Sequence, residues 1–105
     1  MHFTSFLENR QLTVALTGEI DHHCAKNYIQ AISAKIEAYT PELCILDFAD
    51  VSFVDSSGIA VVINALRNMT QIEGKLVLEG IRPQPMRVFR ASGIDKLLEI
   101  REVVS

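Results

Sequence analysis

Leu43-Cys-Ile-Leu46 sets apolar side chains in succession, with no polar residue to alternate with them. Successive side chains of a strand point to opposite faces of a sheet, so a run of this kind needs apolar cover on both. It predicts a central strand. The run from Asp47 to Ile59 reads as a buried strand, a loop, then Asp55-Ser56-Ser57-Gly58 opening a segment in which Ile59, Val62, Ile63, Leu66 and Met69 recur along one helical face. A buried strand, a turn and a capped amphipathic helix make half of a β-α-β unit, and the remaining chain must supply the other strands and the cover.

The flanking segments have that character. Leu12-Thr-Val-Ala-Leu16 alternates apolar and polar residues before Gly18, as in a half-buried strand, and residues 3–8 can pair with it across Asn9-Arg10. Asp21 is placed to cap a helix whose face is Ala25, Ile29, Ile32 and Ile36. Pro41 breaks the connection. Gly74 ends the second helix, and Lys75-Leu-Val-Leu-Glu79 is a strand. Pro83 and Pro85 open a helix through Met86, Val88 and Phe89, and Gly93 stops it. Leu97 to Val104 fits a strand or a short helix equally. Strands alternating with helices predict a single α/β domain over residues 1–105, with a mixed sheet.

Composition narrows the function. An apolar share of 49 % against 22 % charged residues excludes a disordered chain. A net charge of −3, with Lys and Arg forming no basic block, points away from nucleic acid and from anionic membranes. The first ten residues lack the basic and apolar regions of a signal peptide, and no apolar stretch is long enough to span a bilayer, so a cytoplasmic protein is expected. Cys24 and Cys44 are too few and too far apart for a disulfide framework or a zinc site. Reduced thiols are expected, with a single disulfide left open.

Asp55-Ser56-Ser57-Gly58 admits three readings. It can be a plain helix cap. Ser56 can be a nucleophile, but the Gly-x-Ser-x-Gly elbow is missing and nothing in the sequence places His2, His22 or His23 beside it. Ser56 can also accept a phosphate, since a helix start offers unpaired N–H groups and the positive end of the helix dipole. The chain has no phosphate-binding loop and no kinase signature, so that phosphate would come from another protein. Asp21-His22-His23 resembles a metal motif only in its letters, because the further ligands such a site needs are not evident. No metal and no cofactor are expected. On a helical wheel, Ile59, Ile63 and Leu66 face one way, which turns Val61, Asn64 and Asn68 outward as a candidate partner surface.

Taken in order, Thr17-Gly-Glu-Ile-Asp-His-His23, Leu46-Asp-Phe48, Phe53-Val-Asp-Ser-Ser-Gly-Ile59 and Phe89-Arg-Ala-Ser-Gly-Ile94 resemble the STAS domain of anti-sigma factor antagonists, most closely the sporulation sigma-F type. The resemblance spans nearly the whole chain, with Ala60 standing where sporulation-type relatives often have Gly. It implies a mixed sheet of four or five strands packed with about four helices. It implies a partner that is both anti-sigma factor and serine protein kinase, of the histidine-kinase-like ATPase type. The unphosphorylated antagonist would bind that partner and release a sigma factor. Phosphorylation of the first serine of the motif, Ser56, would inactivate the antagonist, and a metal-dependent serine phosphatase would restore it.

The reading is therefore a non-enzymatic phosphorylation switch in transcription regulation, serving sporulation or a stress response. Ser56 is the acceptor. Asp21 and Asp55 shape an acidic docking surface, Ser57 and Gly58 hold the turn open, and Val61 and Asn64 extend the partner face. The alternative is a constitutive interaction module of the same fold without a phosphocycle.

Overall fold

The computed structural model describes residues 3–101. Phe3–Glu8 (β1) and Gln11–Ile20 (β2) form an antiparallel hairpin, in register from Phe3↔Leu16 to Glu8↔Gln11. Asn9 and Arg10 make its turn with φ of 51° and 63°, the left-handed pair that matches the twist of hairpin strands. Leu43–Val54 (β3), Lys75–Glu79 (β4) and Glu99–Arg101 (β5) add in parallel, giving the order β1-β2-β3-β4-β5. The connections carry helices Ala25–Tyr39 (α1), Ser56–Gln71 (α2) and Pro83–Ser92 (α3), and a 3-10 turn at Ile94–Lys96 precedes β5.

Each crossover advances one strand in the same direction. Parallel crossovers are right-handed, so all three α-helices fall on one face of the sheet. That face alternates out of the strands as Leu12, Val14 and Leu16, then Cys44, Leu46 and Phe48, then Leu76 and Leu78. It meets Tyr28, Ile32 and Ile36 of α1, Val61, Val62, Ala65 and Met69 of α2, and Phe89 of α3. Phe48 and Phe89 pack edge to face with centroids 5.4 Å apart. A contiguous apolar cluster of this kind supplies the main driving force for folding.

Helical cover on both faces of β3 is not what forms. Ile45 and Val77, which alternate to the other side, are 4 % and 0 % exposed, yet every α-helix lies opposite them. Covering both faces with helices would require crossovers that step in both directions from a central strand. Here the far side carries Lys75, Glu99 and Arg101 instead, with Lys75 Nζ 3.2 Å and Arg101 Nε 2.8 Å from the Glu99 carboxylate. Phe6, on the same side in register with Thr13, is 60 % exposed.

Two further expectations change. The loop expected between strand and Asp55 does not form: β3 runs unbroken to Val54, past the end of β4. Among the described residues the α-helices number three, with one 3-10 turn beside them. Within the undecided last segment, Glu99–Arg101 is strand, while residues 102–105 lie outside the described residues. Gly93, at φ 83°, ends α3 as expected, because the left-handed cap costs a glycine no Cβ clash.

Candidate functional site

Parallel strands place their C-terminal ends on one edge of the sheet, where open α/β sheets present their sites. Ile20 and Val54 end β2 and β3 in register, and the Asp55 amide donates to the Ile20 carbonyl at 3.2 Å. Asp21 and Asp55, 34 positions apart in the chain, therefore leave adjacent strand ends, beside the start of α2. Asp55 is the N-cap in extended conformation. Its Oδ1 accepts from the Ser57 amide at 2.7 Å, and its carbonyl accepts from the Gly58 amide at 3.0 Å. Ser56 is the first helical residue and is exposed. The cap is thus supplied by Asp55, and among the described residues no hydrogen bond holds the Ser56 hydroxyl.

Gly58 is buried against the strand ends. A Cβ there would run into the Val54 side chain and lie 3.6 Å from Ile20 Cγ2, so a bare backbone is what lets the first turn of α2 settle on the sheet. Gly58 therefore seats the turn on the strand ends.

Asp21 does not cap the first turn of α1. The helix starts at Ala25, and the N-cap position is held by Cys24 with no side-chain bond. Asp21 closes the turn before it. Its Oδ1 accepts from the His23 amide at 2.9 Å, and its carbonyl accepts from the Cys24 and Ala25 amides. Desolvation pushes the Asp21 carboxyl up, but the His23 amide, the Cys24 thiol and the nearby His23 ring outweigh it and hold the group below its ordinary range. His22 and His23 stack with centroids 3.9 Å apart on this exposed turn, and neither is bonded to Ser56. Nor does any group of three or more His, Cys, Asp or Glu among the described residues form a metal site.

The helical-wheel assignment of α2 is overturned. Val61 is 1 % exposed and belongs to the core, whereas Ile63 is 37 % exposed. The face on the sheet is Gly58, Val61, Val62, Ala65 and Met69. Two of these residues, Gly58 and Ala65, carry almost no hydrophobic bulk, so a wheel weighted by large side chains turned the helix too far. Small residues let α2 approach the sheet closely, and that closeness decides the face. Asn64 is only partly available. Its Oδ1 accepts from Ser33 Oγ of α1 at 3.0 Å and from Asn68 Nδ2 at 3.2 Å, and Asn68 also donates to Ser33 Oγ at 2.7 Å. The network ties α1 to α2. From Ser56 the outward stripe of α2 runs through Ala60, Ile63 and Arg67, which with Ile29 and Asn64 line a shallow groove of about 270 Å³ between the two helices.

The sequence reading missed Gln84 of α3. Its Oε1 accepts from the Val54 amide and its Nε2 donates to the Val54 carbonyl, both at 2.9 Å. Arg82 Nε donates to the Ala49 carbonyl at 2.8 Å. No periodicity announces such bonds, because they follow from β3 outrunning β4.

A five-stranded sheet with helices on one face and an Asp-Ser-Ser-Gly turn at the strand ends defines a small α/β domain. The chain belongs to the STAS domain family, whose model matches residues 7–105. It is 33 % identical over 95 residues to an anti-sigma F factor antagonist of Lysinibacillus sphaericus, covering 90 % of this chain and 81 % of that protein. Its fold is similar to the anti-sigma factor antagonist SpoIIAA in its unphosphorylated form, with a TM-score of 0.85 and 27 % identity over 99 % of this chain and 90 % of that one. It is also similar to the Bacillus cell fate determinant SpoIIAA in the phosphorylated form, with a TM-score of 0.76 and 27 % identity over 99 % of this chain and 93 % of that one.

Proposed function

We propose that the chain is a phosphorylation-regulated anti-sigma factor antagonist. Its unphosphorylated form binds an anti-sigma factor that is also a serine kinase and frees a sigma factor. Phosphate on Ser56 ends that binding, and a serine phosphatase reverses it, all in the cytoplasm. The observation that carries this reading is the division of labour at the turn: Asp55 supplies the helix cap, which leaves the exposed Ser56 hydroxyl at the first helical position free of a structural task. Its relatives are antagonists of anti-sigma factors, and one similar structure is a phosphorylated form.

The mechanism is electrostatic. A phosphate adds roughly −1.5 to −2 charge. At the first residue of α2 it meets the positive end of the helix dipole, so the fold tolerates it. At the contact surface it joins Asp21 and Asp55, and the added repulsion and desolvation oppose docking. The docking face in this reading is the turn with Ala60 and Ile63, with Ile63 taking the place first given to Val61. Titration of the purified chain with its cognate anti-sigma factor tests the reading. Wild type and Ser56→Ala should bind, and Ser56→Asp should bind at least tenfold more weakly. Equal binding by all three would favour the constitutive module.

A further inference from the structure

Strand β3 pairs with β4 only as far as Asp47↔Glu79, then continues to Val54. On its β2 side the extension is paired, as Thr17↔Asp50, Gly18↔Val51, Glu19↔Phe53 and Ile20↔Val54. On its other side no strand among the described residues answers its peptide groups, and an unanswered strand edge beside the turn would be loose. The start of α3 fills the gap with side chains. Arg82 answers the Ala49 carbonyl, and the Gln84 amide answers both groups of Val54, donor and acceptor, as a neighbouring strand would. Val54 is the last residue before Asp55 and Ser56. It is also the residue on which Gly58 rests. Asparagine in place of Gln84 would be one methylene shorter, and glutamate would offer no donor at neutral pH.

We propose that Gln84 is the positioning residue for phosphate acceptance at Ser56. By holding both backbone groups of Val54 it fixes the point from which the Asp55 cap and Ser56 project, and it makes α3 part of the switch. The proposal rests on the reading of Ser56 as the acceptor. Because α3 meets the turn through these bonds as well as through its packing on β3 and α2, a change at Gln84 alters the presentation of the serine without touching it.

Gln84→Ala keeps a good helix former in α3 and should leave the thermal midpoint within a few degrees. Amide exchange at Val54 and at residues 55–58, followed by NMR, should accelerate at least tenfold. In cells of the source organism, the fraction of chain phosphorylated at Ser56 should fall at least fivefold. Gln84→Glu adds a signature that simple packing would not produce. At neutral pH one carboxylate oxygen still accepts from the Val54 amide, but the other sets a negative charge against the Val54 carbonyl, and exchange at residues 55–58 relative to wild type should rise as in Gln84→Ala. Below about pH 4, a protonated carboxyl both donates and accepts, and protection should return. Unchanged exchange over residues 55–58 in Gln84→Ala would overturn the proposal. So would failure of Gln84→Glu to recover at low pH. Wild type phosphorylated at Ser56 with Gln84→Ala phosphorylated equally would overturn it for Gln84 alone, whereas wild type never phosphorylated there would remove the acceptor reading as well.

Discussion

Each residue at the turn has a separable task, and substitutions should separate them. Asp55 accepts the Ser57 amide, so Asp55→Ala should cost about 1 kcal/mol in a denaturant melt. Ser56→Ala removes no cap and should change stability by less than about 0.5 kcal/mol. The two apolar neighbours on α2 should behave in opposite ways. Val61→Asp would bury an unpaired carboxylate and should unfold the domain, while Ile63→Asp should fold normally and lose partner binding. Circular dichroism and pull-down read both, and a stable Val61→Asp protein would contradict the observed face of α2. The thiols differ in the same way. Burial pushes Cys44 up to about 12, whereas Cys24 is half-buried on the turn after Asp21. Iodoacetamide should modify Cys24 in the folded protein and reach Cys44 only on unfolding, a difference that mass spectrometry resolves. At this scale, sequence showed which residues mark the turn but not how they share its work. The cap could have fallen to Ser56 or Asp55, and only backbone geometry assigns it.

Elements were more legible than residues. The hairpin around Asn9-Arg10, the strand Lys75–Glu79 and the helix from Pro83 to Gly93 all follow from local turn chemistry and periodicity, and all form. Where β3 ends is not legible in the sequence, because Asp47, Asp50 and Ser52 interrupt its apolar pattern. Its pairing with β2 is irregular, with register shifts at Ala15/Thr17 and Gly18/Glu19, so strict alternation could not reveal it. The face of α2 was misjudged for a related reason, since contact through Gly58 and Ala65 leaves little hydrophobic trace. That close seat gives a prediction at this scale. Gly58→Ala should destabilise the domain by about 1–3 kcal/mol, since the new methyl meets the Val54 side chain and either α2 or the strand end must shift. A chemical melt in which Gly58→Ala matches wild type would show that the first turn has room to spare.

Across the whole molecule, charge is divided between regions. Five of the ten Lys and Arg residues lie from Arg82 to Arg101, against two of the thirteen Asp and Glu residues, so the basic character gathers in the segment from the start of α3 to the end of β5. The turn carrying Ser56 lies instead beside Asp21 and Asp55, where a phosphate adds to charge of its own sign. Acid should weaken the fold through the carboxylates held below their ordinary values. Glu99 is lowered by Arg101 and then Lys75, and Asp21 is lowered as described, from ordinary values of 4.5 and 3.8. A depressed folded-state value contributes stability that is present above the unfolded value and lost as pH falls through the folded one. Carbon-detected NMR titration should place both groups below those ordinary values, and titration at or above them would remove this contribution. The reading as a whole depends on one covalent event. Chain recovered from its native cells and digested should give a peptide containing Ser56 that carries one phosphate, localised by fragmentation to Ser56 and absent from Ser56→Ala. Phosphate confined to Ser57, or none under any growth condition in which the partner kinase is active, would contradict it.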